Sequence, residues 1–158
     1  PVRFPSKITW GDGIISFYMR AYKIKGRSSR IEYWPIMIFN AVVQIAFWTF
    51  VLKLSPTVDE EELSNFDFAL SLLWLSYCLI HIVPLVNLTI RRLHDLNMSG
   101  FFYLLYFVAL IFGPALFMPV NLAGPGFFIV IGLWMLLMAW PGTKGPNKYG
   151  ADPREVGL

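Results

Sequence analysis

The sequence predicts an all-α membrane protein with four transmembrane helices, both termini in the cytoplasm, and an N-terminal amphipathic helix in the membrane interface. Two observations favour this fold class. The chain has 158 residues, its mean hydropathy is +0.57, and only 15% of its residues are charged, whereas soluble domains carry about a quarter. Several apolar runs also exceed the ~18 residues expected of a spanning helix, and nearly all lysines and arginines lie outside them.

Residues 1–32 are predicted to form an interfacial arm that contains one short helix. Asp12 suits the N-cap of this helix and Gly26 suits its end. The apolar side chains between these positions recur at helical spacing, whereas the basic ones fall largely elsewhere. The pattern fits a helix in the membrane interface, and it fits equally a helix docked on the rest of the protein. The apolar face contains Ile14, Phe17, Tyr18, Ala21 and Tyr22.

Four apolar segments follow and, with the arm, make a single membrane domain of residues 1–158. Tyr33 and Trp34 begin the first segment as an aromatic anchor at the interface. Pro84 is expected to kink the second. The stretch from Gly113 to Gly126 interrupts the third and fits either an apolar outer loop or a re-entrant piece. The predicted spans cover about 33–54, 66–90, 101–118 and 124–140, and residues 141–158 form a tail.

The distribution of lysine and arginine predicts the orientation. Seven lie in residues 1–34, two in the connector 91–100 and three in residues 141–158. The loop after the third span has none, and the loop after the first has only Lys53 at its edge and carries the acidic run 59–62. Because cytoplasmic loops are enriched in lysine and arginine, both termini and the connector are predicted to be cytoplasmic. Charge segregated in this way argues against nucleic acid as a partner.

Three polar motifs, at residues 26–34, 91–100 and 141–153, meet on this predicted cytoplasmic side. Arg91 and Asp95 are four residues apart, so they can pair if the helix continues. The tail motif contains prolines, glycines and an asparagine that predict ordered turns.

The charged residues of these motifs allow three interpretations. The first is a structural network that locks the helix ends, in which Glu32 meets Arg91 or Arg92. The second is a contact of the arginines with an anionic lipid headgroup or phosphate. The third makes His94 and Asp95 an acid–base pair. The candidate site residues are Arg27, Arg30, Glu32, Arg91, Arg92, His94 and Asp95.

Polar side chains within the spans are expected to face one another, because unpaired polar groups in lipid are costly. Gln44 and His81 lie at nearly the same depth, so we predict that they approach each other and that Asn40 faces Asn87. Contact between helices is the favoured interpretation, and a proton or solute path is the alternative. The histidines lack neighbours at metal-ligand spacing, so the sequence indicates neither a metal nor a cofactor.

The three motifs resemble those of a bacterial family called domain of unknown function 805, the YhaH/YhaI-like proteins of the inner membrane. The family pattern reads G-R-x-S-R-x-E-[YF]-W, then R-R-L-H-D followed by x-x-x-S-G and aromatics, then P-G-T-x-G-x-N-[KR]-[YF]-G-x-D-P. Gly26–Trp34, Arg91–Phe102 and Pro141–Pro153 match it closely. Asn97 and Met98 replace the family's usual Gly-Arg, which removes one positive charge.

The resemblance implies a small multi-pass protein of the bacterial inner membrane whose activity is unknown. Because the sequence shows no catalytic constellation, we expect a non-enzymatic component that acts through a protein partner, a second copy of itself or anionic lipid. A small transporter or channel subunit using His81 and Gln44 is one alternative. A membrane-embedded enzyme using His94 and Asp95 is the other.

Overall fold

The computed structural model describes residues 10–54, 60–117 and 123–155, and these ranges form five α-helices without any strand. α2 and α3 are long and apolar enough to cross a membrane, and α4 and α5 are shorter apolar helices of 17 residues each. In chain order the helices are α1 (Trp10–Met19), α2 (Arg30–Leu54), α3 (Glu60–Asp95), α4 (Phe101–Phe117) and α5 (Ala123–Ala139).

Helix α1 ends at Met19, earlier than the predicted end at Gly26. The Arg91 side chain explains the early end, because its Nη1 donates to the carbonyl oxygens of Arg20 and Lys23 at 2.7 and 2.6 Å. These carbonyls therefore accept tertiary hydrogen bonds. Gly26 lies farther along the connector, where its φ of 98° requires the left-handed conformation that glycine adopts without strain.

The apolar face predicted for α1 is divided between the protein and its surroundings. Phe17 and Ala21 are buried, whereas Ile14 and Tyr18 are exposed. The buried part packs on α2 and α3, as the docking alternative required. Asp12 lies in the first turn of α1 rather than at the N-cap, a position that still favours a carboxylate because of the helix dipole.

Helix α3 is longer at both ends than the predicted span. It begins at Glu60, so residues 60–65, which were expected to belong to the acidic loop, are helical. Glutamate is a good helix former and is favourable near a helix N-terminus. At the other end α3 continues through Asp95, so Arg91 and its neighbours belong to the helix rather than to a connector. Pro84 lies inside α3.

The end of α3 explains why Asn97 stands where the resembled family usually has glycine. Asn97 has a φ of 61°, the only positive φ among the described residues other than glycine. Its N–H donates to the His94 carbonyl at 3.0 Å, and the Met98 N–H donates to the Leu93 carbonyl at 2.9 Å. This is the Schellman pattern, in which glycine or asparagine takes the left-handed position. Asparagine therefore preserves the turn.

Helices α4 and α5 narrow the interruption predicted between Gly113 and Gly126. α4 continues through Pro114 to Phe117, and α5 begins at Ala123. The choice between an outer loop and a re-entrant piece falls on residues 118–122, which lie outside the described residues.

The buried core lies at one end of the molecule, where the start of α2 meets the ends of α3 and α5. Elsewhere the helices expose large apolar side chains, including Leu52 at 72%, Leu79 at 65% and Leu136 at 68%. Such continuous apolar exposure is unusual in a soluble monomer and suits lipid contact. The core residues are Phe17, Tyr33, Ile36, Leu88, Leu93 and Met138.

Stacked aromatic rings also join the helices pairwise. Phe47 of α2 stacks on Trp74 of α3 with ring centroids 4.0 Å apart, and Tyr106 of α4 stacks on Trp134 of α5 at 4.2 Å. The four helices α2 to α5 therefore form two hairpins, α2–α3 and α4–α5, which are joined mainly at the core end.

Candidate functional site

The charged residues predicted as a site converge at the core end of the hairpins. Both oxygens of the Asp95 carboxylate are paired with guanidinium groups. Arg27 donates from Nε and Nη2 to Oδ1 at 3.0 and 2.8 Å, and Arg92 donates from Nη1 to Oδ2 at 2.5 Å. All three side chains are at least 97% buried. We call Arg20, Arg27, Glu32, Arg91, Arg92 and Asp95 the charged cluster.

Arg91 does not pair with Asp95, although the four-residue spacing allowed it. Its Nε donates to Ser28 Oγ at 3.0 Å, and its Nη1 donates to the carbonyl oxygens of Arg20 and Lys23, as described above. The connector between α1 and α2 lies over this face of α3 and supplies carbonyl oxygens there. Arg92, one position later on α3, faces the Asp95 carboxylate instead.

Glu32 is also bonded elsewhere than predicted. Its Oε2 accepts from the backbone N–H of Ser29 at 2.8 Å. Its Oε1 accepts from Ser16 Oγ at 2.9 Å and from Arg20 Nη1 at 3.1 Å. Serine followed three residues later by glutamate is the spacing of a capping box, so this sequence signal marks the start of α2 at Arg30.

The last carbonyl groups of α5 are satisfied by arginines. Arg92 Nε donates to the Met138 oxygen at 3.0 Å, and its Nη2 donates to the Trp140 oxygen. Arg30 Nη1 donates more weakly to the Ala139 oxygen, at 3.4 Å. A helix C-terminus leaves its final carbonyls without helical partners, and cations there complement its dipole. The arginines therefore fasten α5 to α2 and α3.

The tail covers the end of α3 through specific hydrogen bonds. Thr143 donates its N–H and its hydroxyl to the Asp95 carbonyl oxygen at 2.8 and 3.0 Å. Asn147 Nδ2 donates to the His94 carbonyl and to Thr143 Oγ1, both at 2.9 Å. Gly142 lies so close that a Cβ there would overlap the Asp95 carboxylate.

Asp152 closes the tail on itself. It accepts from the Gly145 N–H at 3.0 Å and from Arg154 Nε and Nη2 at 2.7 and 2.6 Å. Hydrogen bonds from Arg154 are the main cause that lowers the pKa of Asp152 to about 2, and the same pairing raises the pKa of Arg154. Arg27 also binds this loop, through the carbonyl oxygens of Gly145 and Thr143 at 2.6 and 2.5 Å.

His94 and Asp95 do not form the acid–base pair considered from the sequence. The Asp95 carboxylate is held by two arginines, and His94 Nδ1 lies 3.0 Å from the Gly26 carbonyl oxygen. The imidazole stacks on Tyr149, with ring centroids 3.9 Å apart and planes 5° from parallel. His94 therefore joins the tail to the end of α3.

The predicted approach of Gln44 and His81 is replaced by other contacts. His81 Nδ1 lies 2.9 Å from the Tyr77 carbonyl oxygen one turn earlier on α3, and its Nε2 lies 3.3 Å from Tyr18 Oη on α1. Gln44 has an exposed side chain. The docking of α1 against α3, which sequence periodicity left open, supplies the hydroxyl that faces His81.

Asn40 and Asn87 likewise have partners other than each other. Tyr77 Oη donates to Asn40 Oδ1 at 2.6 Å and so joins α3 to α2. Asn87 Nδ2 donates to the Ala21 carbonyl at 2.8 Å, just after α1. Polar residues in the spans thus bond between elements, as expected, but tyrosine and backbone oxygen replace the predicted amide pair.

Sequence reasoning missed several residues that complete the site. Tyr77 stands four residues before His81, the spacing of helix neighbours, and could have been paired with it. Thr143, Asn147 and Asp152 lie within the recognised tail motif, but nothing local identifies α3 as their partner. No group of three or more His, Cys, Asp or Glu side chains among the described residues could hold a metal ion.

Comparison with known proteins identifies the family. The family model described as protein of unknown function (DUF805) matches residues 21–151. The chain belongs to the DUF805 family. This confirms the resemblance of the three motifs, and the matched region contains the whole charged cluster except Arg20.

Three similar proteins come from Escherichia coli. Inner membrane protein YhaI of strain K12 is 31% identical over 132 residues, which cover 82% of this chain and 84% of the relative. Inner membrane protein YhaH is 25% identical over 144 residues, with 89% and 98% covered. Uncharacterized protein YiiR is 28% identical over 144 residues, with 85% and 88% covered. No solved structure matches the chain significantly.

These relatives and the apolar helices identify a multi-pass protein of the bacterial inner membrane. Membership of the DUF805 family carries no activity with it, because the family is described as having an unknown function. A function for this chain has to be argued from the geometry of the site.

Proposed function

We propose that this protein is a non-enzymatic component of the inner membrane that acts through a protein partner or anionic lipid. In this proposal the four helices α2 to α5 cross the membrane, and both termini and the charged cluster are cytoplasmic. The observation that carries it is the internal pairing of the charged cluster. Side chains bonded to one another and to backbone carbonyls stabilise the structure and are not available to act on a substrate.

The charged cluster supports a structural assignment residue by residue. Asp95 has both oxygens paired, and Glu32 accepts three hydrogen bonds. Breaking such a pair leaves a buried charge uncompensated, at a cost of about 3–5 kcal/mol. A carboxylate held this firmly is poorly suited to exchange protons during a reaction. The same bonds hold the tail against the helix ends and build one continuous polar platform.

The helix geometry supports four crossings with both ends on one side. Arginines at the start of α2 and the end of α3 reach the end of α5, so these termini lie together. A helix of 17 residues is about 26 Å long at ~1.5 Å per residue, near the lower limit for spanning a bilayer. The basic residues gather at this common end, which the positive-inside rule assigns to the cytoplasm.

A crevice between the two hairpins supports a partner or lipid within the membrane. Its volume is about 430 Å³, and it opens beside the start of α2. Apolar side chains or an acyl chain could fill such a space, because its lining is almost wholly apolar. The aromatic residues that line it are Tyr33, Trp34, Tyr103, Tyr106, Phe107 and Trp134.

The two alternatives find less support in the geometry. A transport path needs a polar cavity at His81 and Gln44, but neither residue lines the crevice between the hairpins. An enzyme using His94 and Asp95 needs the two side chains to act on each other. The carboxylate is instead enclosed by arginines, and the imidazole is stacked beneath Tyr149.

Native mass spectrometry of the full chain, released from inner-membrane vesicles or nanodiscs, tests the proposal. We expect bound anionic phospholipid, a second membrane protein or a second copy of the chain to remain attached. A strictly solitary protein that retains none of these would contradict the proposal. Turnover of a lipid substrate by the purified protein, abolished by His94→Ala, would contradict its non-enzymatic part.

Cysteine labelling tests the proposed orientation. In a Cys78→Ser background, which removes the single cysteine, Lys53→Cys and Lys148→Cys place thiols at exposed positions at opposite ends of the hairpins. A membrane-impermeant maleimide applied to spheroplasts should label position 53 directly and position 148 only after permeabilisation. The reverse order would overturn the orientation.

A further inference from the structure

The four arginines that the sequence assigned to a possible headgroup site differ sharply in what they bind. Arg27 donates to the Asp95 carboxylate and to tail carbonyls, and Arg92 to that carboxylate and to the end of α5. Arg91 donates to a serine hydroxyl and two carbonyls. Arg30 is exposed and makes one bond of 3.4 Å. A guanidinium has five N–H donors, so Arg30 retains most of its capacity for an anion.

Arg30 stands at the mouth of an apolar groove with a volume of about 430 Å³. The groove runs along the first turns of α2 and ends against the last residue of α5. Ile31 and Ile38 on its wall are exposed at 43% and 45%. The full lining is Arg30, Ile31, Trp34, Pro35, Ile38 and Ala139. The exposed guanidinium of Arg30 thus lies at one end of an apolar groove, at the start of α2.

The electrostatic surroundings of Arg30 favour an anion. No ion pair joins it to a carboxylate in the part of the chain that the structure describes. Glu32, two residues later, is buried and bonded to α1, and Arg92 adds positive charge from the same helix end. The N-terminus of α2 contributes further positive potential through its dipole.

We propose that Arg30 binds the phosphate of an anionic glycerophospholipid whose acyl chain lies in this groove. The inference rests on the proposed function, in the form in which the protein acts through anionic lipid, and it assigns the lipid contact to Arg30. A guanidinium fork matches phosphate oxygens geometrically, and the acyl chain covers the exposed isoleucines. Arg27, Arg91 and Arg92 hold the platform beneath and do not contact the lipid.

Native mass spectrometry in nanodiscs tests the site with phosphatidylglycerol and phosphatidylcholine in equal amounts. The wild-type chain should retain the anionic lipid preferentially. A basic residue near an anionic surface contributes about 1 kcal/mol, so Arg30→Gln should lower that preference about fivefold. Lys25→Gln is the matched control, because Lys25 is an exposed cation of the same arm that does not line the groove.

A second variant separates a bound phospholipid from a free phosphate. Ala139→Phe places a ring in the groove and leaves Arg30 in position. We expect it to reduce retention of phosphatidylglycerol and of phosphatidylcholine alike, whereas a site for free phosphate would keep its response to added inorganic phosphate. Far-UV circular dichroism confirms that each variant is folded before its lipids are counted.

The outcomes separate the site from the broader proposal. If Arg30→Gln keeps the wild-type preference, or Lys25→Gln loses as much, the Arg30 site is overturned while lipid binding by the protein stands. If Ala139→Phe changes nothing, the groove does not hold the acyl chain and the site is likewise overturned. A wild-type chain that retains no lipid and no partner overturns both.

Discussion

Replacing Asp95 by asparagine tests whether the charged cluster holds the helix ends together. The substitution keeps the shape of the side chain and removes its negative charge. Arg27 and Arg92 would remain buried, with exposed fractions of 1% and 0%, and would lack their shared counter-ion. An amide oxygen can still accept from Arg27, but the amide nitrogen then faces an Arg92 N–H, so donor meets donor.

The expected loss follows from the three hydrogen bonds to Asp95. Bonds to a charged group contribute about 1.5–3 kcal/mol each. Asp95→Asn removes one bond outright and weakens two, which gives about 3–5 kcal/mol. The penalty measured for breaking one partner of a buried ion pair has the same size. The free energy of unfolding should fall by that amount.

Equilibrium unfolding in detergent micelles, followed by tryptophan fluorescence, measures the change. Glu155→Gln serves as the control, because Glu155 is an exposed carboxylate in the same tail, and it should shift the free energy by less than about 0.5 kcal/mol. Adding Arg92→Met to Asp95→Asn should cost less than the sum of the two single changes, since the second change removes an uncompensated charge. A loss below about 1 kcal/mol for Asp95→Asn would refute the reasoning.

The structure also specifies the outcome of changes at Gly142, Asn97, Asp152 and His94. Gly142→Ala should lower stability by about 1–3 kcal/mol, because its Cβ would overlap the Asp95 carboxylate. Gly132→Ala, in open space within a helix, should raise stability by about 0.5–1 kcal/mol. Thermal unfolding in micelles compares the two variants. Asn97→Ala should cost about 1 kcal/mol by the same measurement, because alanine resists a φ of 61°. Because the pKa of Asp152 is lowered from 3.8 to about 2 in the folded chain, its carboxylate stabilises the tail above about pH 4. The protection of tail amides against hydrogen exchange, relative to the intrinsic rate at each pH, should therefore fall as the pH falls toward 2. Asp152→Asn should show the lowered protection throughout. His94→Ala should loosen the tail by about 1–2 kcal/mol, read as faster tail proteolysis with α-helix content unchanged.

Conservative variants serve as controls for these tests. Glu155→Gln should keep the acid-dependent step in hydrogen exchange, and its disappearance in that variant would assign the step to the wrong carboxylate. Tyr149→Phe preserves the ring over the imidazole and should behave as wild type, whereas Tyr149→Ala should reproduce the loosened tail. Asn97→Gly should retain or raise stability, and a loss would contradict the left-handed assignment of this position.

The class of protein and its main helices could be read from the sequence because they depend on local properties. Long uncharged runs predict membrane helices. The aromatic anchor at Tyr33 indicated the start of the first one, and the turn-forming residues of the tail indicated its ordered turns. The Ser29–Glu32 spacing, which is that of a capping box, also indicates the start of α2. Asn97, which replaces the family's usual glycine, preserves the turn at the end of α3, since both residues accept a left-handed backbone.

The partners within the charged cluster and the spans depended on tertiary structure. Spacing along one helix allowed Arg91 to pair with Asp95, but the fold placed Arg27 from the distant arm on that carboxylate and turned Arg91 toward backbone carbonyls. Depth in the membrane suggested Gln44 for His81, but the docking of α1 supplied Tyr18.

The sequence by itself determined that this is a helical membrane protein of a particular family, because hydropathy, charge segregation and motif spacing are properties of the chain. Only the tertiary structure decided which of the described arginines pair with carboxylates, and that Arg30 is exposed with a single hydrogen bond of 3.4 Å. A guanidinium bonds to whichever oxygen atoms surround it, and those oxygens come from segments far apart in the chain.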